Sequence, residues 1–450
     1  MEKGFIFRMN RCVGCHACIV ACAIQNNTLP GMNWRSVYEF NNRKHPFIPV
    51  LFHSMACNHC EEAPCMTNCP SKAFLRDEHT NAVLVNPDKC IGCKYCAWAC
   101  PYDAPKYNPK SGIIEKCNLC IERIRGDGIP ACARCCPTGS LDYGLPDEFT
   151  VRQTITGFGD YGLGPKVYFA DKDMDRRMPE MVVDDQFKYD PAGLSDSVEM
   201  PTSRIDLKSE WSLAVFTFLV PFLTGLFAGI SLASIIFPWE LFVAFGIMAI
   251  FVGSLHTGKK FRSFRSVVNF RNSWLSRETL SFILFFATAV YTLISGSVYL
   301  WLVITTLVFG LLASFSIDMV YNLKSRTETG LFHSSNAMLS VLLFTGIFLK
   351  AGYPVVFILA LKLFLYTYRK IRFYHEGKDP RWLLSIFRLV PGMIFPALHW
   401  LTDPSVSWIL ILTSVIAGEI TDRCEFYLEL EFKNPENELY SYFKKIRETA

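Results

Sequence analysis

The chain has 450 residues, of which 51% are hydrophobic and 19% are charged, and its formal net charge is +4. This length predicts two or three domains. Residues 212–421 consist mostly of long apolar runs, whereas residues 1–205 are polar. A disordered chain, a wholly soluble protein and a nucleic-acid binder are therefore poor fits. The N-terminal residues have no long apolar stretch and no twin arginine, so we expect no secretory signal.

The first third of the chain is rich in cysteine, because seventeen of the eighteen cysteines lie between Cys12 and Cys136. Sixteen of these cysteines form four successive groups of four, numbered I to IV in chain order. Groups I and III have the spacing C-x2-C-x2-C-x3-C, and in groups II and IV one of the intervals is longer. The four groups are Cys12, Cys15, Cys18 and Cys22 (group I); Cys57, Cys60, Cys65 and Cys69 (group II); Cys90, Cys93, Cys96 and Cys100 (group III); and Cys117, Cys120, Cys132 and Cys136 (group IV).

This spacing is typical of [4Fe–4S] ligands. Three thiolates on one tight loop hold three corners of a cluster, and the fourth cysteine ligates the other cluster of a pair. Sixteen ligands thus predict four [4Fe–4S] clusters in two ferredoxin-like modules. Structural zinc is a disfavoured alternative, since it usually takes two CxxC pairs per ion. We expect Cys135 to be a small filler beside a ligand and Cys424 to be inert.

Residues 146–210 separate the cysteine region from the apolar runs. This segment is polar, rich in aspartate and interrupted by glycine and proline, so we expect a solvated wrap or linker. No Walker loop, Rossmann fingerprint or Ser/His/Asp arrangement is evident in the chain. Clusters alone pass single electrons, so the chain requires an electron donor and an electron acceptor.

The apolar runs predict about eight membrane-spanning helices, because each has about 16–25 residues. The fifth and sixth runs are separated by Lys350–Pro354, a good turn signal. The alternative, buried helices of a large soluble core, is disfavoured because eight successive runs carry almost no charge. The runs lie near residues 212–235, 238–255, 280–298, 300–317, 335–350, 353–369, 386–402 and 405–421.

Basic residues in the loops predict an orientation. With eight spans, loops 256–279, 318–334 and 369–385 share the side of the cysteine domain, and Arg369 and Lys370 are counted with the last of them. These loops carry many lysines and arginines, and the opposite side offers only Lys350. The positive-inside rule then places the cysteine domain in the cytoplasm. Alternatively, the basic loops dock an overlying domain or partner.

A membrane domain joined to a series of clusters suggests quinol oxidation or quinone reduction. Haem b held by histidines is one common device for this reaction. However, only His256, His333 and His399 lie near spans, all toward helix ends, and His375 is in a loop. We therefore expect no haem, and the quinone must react close to a cluster.

His256 and Glu278 are the candidate quinol-site residues, because both lie at helix ends on the side of the cysteine domain. A neutral imidazole could accept a quinol proton, and the carboxylate could relay it outward. The alternatives are an interfacial hydrogen-bonded histidine and a favourable helix N-terminal carboxylate. We expect Glu419, Asp422 and Arg423 to form an ion pair that fixes helix packing.

The cysteine region resembles the four-cluster electron-transfer subunit of dimethyl sulfoxide reductase-type molybdoenzymes. The resemblance covers about residues 4–144 and is carried by CVGCHACIVAC, CNHCEEAPCMTNCP, CIGCKYCAWACPYDAPKYN and CNLCIERIRGDGIPACARCCP. Some relatives replace one group III cysteine by tryptophan and hold a [3Fe–4S] cluster. Cys96 is present here, so the resemblance implies four [4Fe–4S] clusters.

The resemblance also implies that groups I and IV pair, as do groups II and III. It places one cluster, that of the ligand set called D below, nearest to the membrane. The implied ligand sets are set A (Cys12, Cys15, Cys18 and Cys136), set B (Cys22, Cys117, Cys120 and Cys132), set C (Cys57, Cys60, Cys65 and Cys100) and set D (Cys69, Cys90, Cys93 and Cys96).

The C-terminal half resembles the eight-helix menaquinol-oxidising anchor of the same enzymes. The stretch SLHTGKKFRSFRSVVNFRNSWLSRETL carries this resemblance, with weaker support from GEITDRCEFY. The quinol-site histidine and glutamate of the family fall on His256 and Glu278. Better-known relatives keep the two subunits on separate chains and face the periplasm, whereas here both lie on one chain and the loop charge points inward.

The sequence therefore predicts an α+β ferredoxin-like tandem Fe–S domain followed by an all-α polytopic membrane bundle. The predicted domains are residues 1–145 for the clusters, 146–210 for the linker, 211–424 for the membrane anchor with its quinol site, and 425–450 for a polar tail. We expect a multi-pass protein of the bacterial or archaeal cytoplasmic membrane.

The predicted function is oxidation of menaquinol and transfer of electrons through four [4Fe–4S] clusters to a separate molybdopterin-containing catalytic subunit. That partner would reduce a terminal acceptor such as a sulfoxide, an N-oxide or nitrate. One alternative is a quinone-reducing partner of a hydrogenase or formate dehydrogenase. Another is a non-catalytic assembly protein that only binds clusters.

Overall fold

A computed structural model of the chain describes residues 2–40, 51–146, 158–170, 207–296, 299–325, 333–375, 379, 381–402, 407–430 and 432–435. The chain divides into two compact units, Met1–Thr202 with Phe432–Ala450 and Ser203–Glu431. Most of the predicted linker, residues 146–210, and most of the predicted tail, residues 425–450, lie outside the described residues. The last helix continues past residue 424 to Glu429.

Short strands and short helices build the first unit. The strands are β1 (Gly4–Phe7), β2 (Ser36–Phe40), β3 (Leu51–Met55), β4 (Phe74–Arg76), β5 (Val83–Val85), β6 (Lys106–Asn108), β7 (Ile113–Glu115), β8 (Leu141–Gly144) and β9 (Val167–Phe169). The helices are α1 (Ala17–Asn26), α2 (Pro64–Thr67), α3 (Tyr95–Ala99), α4 (Ile121–Arg125) and α5 (Ala131–Arg134). A 3-10 turn, Met9–Arg11, follows β1.

Strand β1 is the centre of a three-stranded sheet in the order β8-β1-β9. It pairs antiparallel with β8 and parallel with β9, so that Phe5 lies opposite both Tyr143 and Val167. Three antiparallel hairpins, β2–β3, β4–β5 and β6–β7, complete the sheet structure of the described residues. Phe5 and Phe7 are buried and pack in one apolar cluster with cysteines of groups II, III and IV.

The loops of groups I and III repeat one backbone conformation. Gly14 and Gly92 have φ of +66° and +70°, a region that glycine enters without steric cost. His16 and Lys94 also have positive φ, and each directly precedes a helix, α1 or α3. These sharp turns let three cysteines of one loop point inward together.

Long helices build the second unit. They are α6 (Leu207–Ala233), α7 (Trp239–Leu255), α8 (Trp274–Ser295), α9 (Leu300–Val320), α10 (Ala337–Phe348), α11 (Gly352–His375), α12 (Trp382–Leu389), α13 (Phe395–Thr402) and α14 (Trp408–Glu429). A 3-10 helix, Lys260–Val267, lies between α7 and α8, and a π turn, Val390–Ile394, joins α12 to α13.

Each of the eight predicted apolar runs coincides with a helical segment of the described residues, when α12, the π turn and α13 are taken as one. Among the described residues, four segments are long and apolar enough to cross a membrane: Leu207–Ala233, Trp274–Ser295, Leu300–Val320 and Trp382–Leu401. A fifth is possible if α7 and the following 3-10 helix, which are bent by 105°, form one broken span.

The remaining segments fall short for physical reasons. Helix α10 has twelve residues, and its N-terminus is capped by the Asn336 side chain, which accepts a hydrogen bond from the Leu339 amide. Helix α11 has 24 residues but carries Lys362, Arg369 and Lys370 among its buried positions. The chain is thus a multi-pass membrane protein whose described residues include four or five candidate spans, and eight spans are not established by helix length.

Candidate iron–sulfur and quinol sites

Two cavities in the first unit are lined by cysteines from different motifs. One cavity, of about 350 Å³, contains all four cysteines of set C and the Lys116 side chain in its lining. The other, of about 320 Å³, contains all four cysteines of set A. Each cavity therefore combines three cysteines of one motif with the last cysteine of another, as the resemblance implies.

Sets B and D are also brought together by the fold. In set B, Cys22 interacts electrostatically with Cys120 and Cys132, and Cys117 with Cys22 and Cys132. In set D, all four members interact in the same way, since Cys96 has the other three as neighbours, namely Cys69, Cys90 and Cys93. All sixteen predicted ligands thus fall into the four expected sets.

The four sets form a linear series in the order A, B, C, D. Sets A and B adjoin through Cys18 and Cys132. Sets B and C adjoin through Cys117 and Cys57. Sets C and D adjoin through Cys65, which interacts with Cys69 and Cys96. Each set thus adjoins the next one in this order.

The series differs in exposure along its length. Every cysteine of sets B, C and D is buried, whereas Cys15 of set A is exposed and the other three are half-buried. Burial raises the pKa of the Cys22 thiol to about 12, because a thiolate is costly in an apolar interior. Thiolates at these buried positions therefore need positive charge close by, which iron would supply.

Two buried cations lie among the cysteines, and neither was predicted. The Lys116 ammonium is 3.3 Å from Cys57 Sγ. Burial opposes its charge, but thiolates, Cys57 first, outweigh this effect and raise the pKa of Lys116. Arg35 donates to Ser54 Oγ at 3.0 Å, and that oxygen lies 3.3 Å from Cys18 Sγ. The position of Lys116 directly before Cys117 was the one available sequence signal.

The residues present fit iron–sulfur clusters. Each set offers four sulfur donors, which is the ligand number of a [4Fe–4S] cluster. Buried cations beside the sulfurs suit a cofactor that carries net negative charge with its thiolates. Within the described ranges, no three His, Cys, Asp or Glu side chains lie close enough together to hold a single metal ion. Cys135 is exposed and Cys424 is half-buried.

A network of buried ion pairs joins three helices of the second unit. The Lys362 ammonium of α11 lies 2.7 and 2.8 Å from the two carboxylate oxygens of Glu419 on α14. Arg388 of α12 bonds Glu419 at 2.8 Å and Asp422 at 3.1 Å. Ser340 of α10 donates to Glu419 at 2.5 Å and ties a fourth helix to the network.

The predicted start of the loop 369–385 is wrong, because Arg369 and Lys370 lie inside α11 and are buried. Lys370 contacts Glu425 at 2.9 Å and Glu429 at 2.7 Å. Arg369 lies 3.4 Å from both Asp422 and Glu425. These two cations balance carboxylates within the helix bundle, so they do not count as loop charge.

The predicted ion pair among Glu419, Asp422 and Arg423 is also corrected. Glu419 and Asp422 pair with cations of α11 and α12, and no ion pair of the described residues includes Arg423. Arg423 lies on the flank of α14 that carries Tyr427, which is 3.5 Å from Thr217 of α6. The adjacent residues Asp422 and Arg423 therefore face different neighbouring helices.

Glu278 and His256 occupy the expected helix ends. Glu278 lies in the second turn of α8, is 4% exposed, and interacts electrostatically with Arg423 and Asp318. His256 caps the C-terminus of α7, where its Nδ1 lies 3.1 Å from the Gly253 carbonyl oxygen. The described contacts do not join the two side chains directly.

Asp318 differs from Glu278 in its hydrogen bonding. Its carboxylate accepts bonds from the amides of Ala337 and Met338, at 2.7 and 3.1 Å, at the N-terminus of α10. Of the two carboxylates near Arg423, Asp318 is thus held by two backbone amides, whereas Glu278 has no backbone donor among the described residues.

Comparison with known families agrees with this arrangement. Residues 11–73 and 48–145 each match the 4Fe-4S dicluster domain, and residues 233–363 match the DMSO reductase anchor subunit (DmsC). The first two matches cover the cysteine sets, and the third covers α7 to α10 with both His256 and Glu278.

Similar proteins match about a third of this chain. One chain of the anaerobic dimethyl sulfoxide reductase of Escherichia coli is 38% identical over 155 residues, which are 33% of this chain and 75% of the relative. The thiosulfate reductase electron transfer subunit PhsB of Salmonella typhi is 38% identical over 151 residues, 32% of this chain and 77% of the relative. One subunit of the sulfite dehydrogenase of Allochromatium vinosum is 33% identical over 189 residues, which are 37% of this chain and 78% of the relative.

Each half of the chain thus matches a different protein family model. The cysteine sets match the dicluster domains, and the helical unit carries the anchor domain. The chain belongs to the iron–sulfur electron-transfer subunits of the dimethyl sulfoxide reductase type and carries the DMSO reductase anchor domain on the same polypeptide.

Proposed function

We propose that this chain oxidises menaquinol in its membrane unit and passes the electrons through four [4Fe–4S] clusters to a separate molybdopterin-containing catalytic subunit. That subunit reduces a terminal acceptor such as a sulfoxide, an N-oxide or nitrate. The single observation that carries the proposal is the linear series of four crossed cysteine sets in a chain that also has the anchor domain.

Each cysteine set is proposed to hold one cluster. When bound, the clusters supply one-electron transfer. The cysteine ligands of each set lie next to those of the neighbouring set. Set A is the exposed end of the series, which suits delivery of electrons to a partner protein. Electrons therefore enter at set D and leave at set A, toward the catalytic subunit.

His256 and Glu278 are proposed to handle the quinol protons. Oxidation of one quinol releases two electrons, which leave one at a time, and two protons. His256 Nδ1 lies 3.1 Å from the Gly253 carbonyl oxygen, and the neutral imidazole is proposed to accept a quinol proton. Glu278, without backbone donors, takes the proton onward, because its neighbour Asp318 is held by two amides.

Glu278→Gln tests this role. The substitution keeps the shape but removes proton exchange, so quinol-driven reduction of the acceptor by the complete complex should fall at least tenfold. Reduction driven by a viologen dye, which delivers electrons without a quinol, should be unchanged. Glu240→Gln is the matched control, because Glu240 is an exposed glutamate in the first turn of α7, at the opposite end of that helix from His256. Equal loss of both activities would contradict the proposal.

The protein is proposed to reside in the cytoplasmic membrane of a bacterium or archaeon, with its cluster unit on the cytoplasmic side. The supporting loop charges are those of 256–273, since Arg369 and Lys370 belong to the buried network. Quinol protons would then be released on the side where the acceptor consumes protons. Net proton translocation during turnover in vesicles would refute this electroneutral arrangement.

A further inference from the structure

Two buried cations of the first unit lack a carboxylate partner. In the described part of this unit, the buried lysines and arginines are Arg35, Lys116 and Lys166, which are 2, 4 and 6% exposed. Lys166 pairs with Glu2, whereas no ion pair of the described residues includes the other two. An unbalanced buried charge is costly. A negative group other than a carboxylate must therefore balance Arg35 and Lys116.

Lys116 lies at the junction of sets B and C. Its ammonium is 3.3 Å from Cys57 Sγ of set C and 3.0 Å from the Cys117 carbonyl oxygen of set B, and it also bonds the Val83 carbonyl. Its electrostatic partners are Cys57 and Cys65 of set C and Cys117 of set B. The charge therefore acts on the ligands of two neighbouring sets.

Arg35 lies at the next junction, between sets A and B. Through Ser54 it reaches Cys18 of set A, and its electrostatic partners in set B are Cys22, Cys117 and Cys132. Its Nε and Nη2 atoms have no hydrogen-bond partner in the described residues. Such orphaned donors fit a negative group that the polypeptide itself does not supply.

We propose that Arg35 and Lys116 are redox-tuning residues that raise the reduction potentials of the clusters on either side of each junction, most of all the cluster of set B. This inference rests on the proposed ligation of four clusters. One-electron reduction adds a negative charge to a cluster that its thiolates already make negative. A fixed cation nearby stabilises that reduced form more than the oxidised form, and net charge is one of the factors that set cluster potentials.

The two cations are distributed unevenly along the series. Set B is next to both, set C is next to Lys116 alone, and neither cation has a cysteine of set D among its main electrostatic partners. The tuning therefore increases from D through C to B. Electrons that enter at set D would move toward higher potential as far as set B, whereas set A is next to Arg35 alone, so the tuning gives no further gain on the last step from B to A.

Potentiometric titration followed by electron paramagnetic resonance on the complete complex in membranes tests the proposal. Lys116→Met removes the charge and keeps the length of the side chain. At the wild-type midpoint, the ratio of reduced to oxidised cluster should fall at least about tenfold for one or two clusters, a shift of about 59 mV for one electron. Lys116→Arg retains the charge and should stay close to the wild-type protein.

Lys166→Met is the matched control, because this buried lysine is already balanced by Glu2. Its cluster potentials should be unchanged. Four clusters with wild-type potentials in Lys116→Met would overturn the proposal. If Lys116→Met does not retain four clusters, Arg35→Gln is titrated with the same expected direction, and cluster loss in both variants would overturn tuning in favour of a role in assembly. A wild-type protein without clusters would instead contradict the proposed ligation.

Discussion

The two units of this protein bury positive charge in different ways. In the first unit, Arg35 and Lys116 lie against cysteines and have no carboxylate partner in the described residues. In the second unit, four of the five buried cations of the described residues pair with four acidic residues of one helix, α14, and the fifth, Arg423, interacts electrostatically with Glu278 and Asp318. The four paired cations are Lys362, Arg369, Lys370 and Arg388, and the acidic residues are Glu419, Asp422, Glu425 and Glu429.

The difference shows which unit is complete as a polypeptide. The second unit balances its buried charge with its own side chains, as a helix bundle in lipid must. The first unit leaves its balance to groups bound at the cysteine sets. A buried cation without a carboxylate is therefore as informative about a cofactor as the cysteines themselves.

The largest expected effect comes from breaking a buried pair of the second unit. Lys362→Met leaves the Glu419 carboxylate without the ammonium that lies 2.7 Å away. Removal of one partner of a buried pair costs about 3–5 kcal/mol, because the other charge stays buried and less compensated. The midpoint of thermal unfolding in detergent should fall accordingly.

Two further variants make this prediction sharper. The double variant Lys362→Met/Glu419→Gln removes both charges and should recover much of the lost stability. Lys350→Met replaces an exposed lysine near the start of the same helix and should have little effect. A stable Lys362→Met protein would show that the network is not held by charge balance.

A smaller effect is expected from His53, a base of the first unit that is buried and has no hydrogen-bond partner for either ring nitrogen. Burial first, and then the charge of Arg35, lower the pKa of His53 to about 3. The ring stays neutral among the rings of Phe7, Phe158 and Phe169. Buried cations of this protein lie beside either cysteines or carboxylates. His53 differs from both, because it is buried without a positive charge.

The sign of the pH dependence follows from this shift. The unfolded chain takes up a proton at His53 near pH 6.5, whereas the folded chain does not, so stability is lost as the pH falls below about 6.5. The loss between pH 7 and pH 5 is about 2 kcal/mol. His53→Phe should remove that part of the pH dependence, measured as the thermal midpoint of cluster bleaching at several pH values. An identical pH dependence in the variant would contradict this assignment.

The smallest effect is expected from an ion pair of the first unit in which only the arginine is exposed. Arg125 lies 2.5 Å from Asp77, but the arginine side chain is 53% exposed. Hydrogen bonds from Thr80 come first among the groups that lower the pKa of Asp77, to about 2. Arg125→Gln should therefore cost less than about 1 kcal/mol in thermal unfolding. A loss as large as that of Lys362→Met would remove the contrast between exposed and buried pairs.

The cysteine sets could be predicted because their information is local. A tight C-x2-C-x2-C loop with Gly14 or Gly92 in the left-handed region determines how three sulfurs turn inward. The pairing of the groups, which decides where each crossed fourth ligand belongs, came from the family resemblance, and the cavities of sets A and C agree with it. Apolar runs likewise located the helical segments, since burial in lipid requires continuous apolar sequence.

The charged contacts could not be predicted, because their partners are distant in the chain. Lys362 and Glu419 are 57 positions apart, and nothing in the local sequence joins them. Arg369 and Lys370 follow an apolar run and so look like loop residues, although they continue the helix. Arg35 gave no signal at all, since its cysteine neighbours come from two separate motifs.

Reduction of the clusters by menaquinol is the most direct test of the central claim. Anaerobic membranes that contain the complete complex are mixed with a menaquinol analogue, and the reduced clusters are measured by electron paramagnetic resonance. The proposal predicts that the quinol reduces clusters in the wild-type protein and fails to do so in Glu278→Gln, while dithionite reduces them in both. Clusters that dithionite reduces but menaquinol does not reduce in the wild-type protein would contradict it.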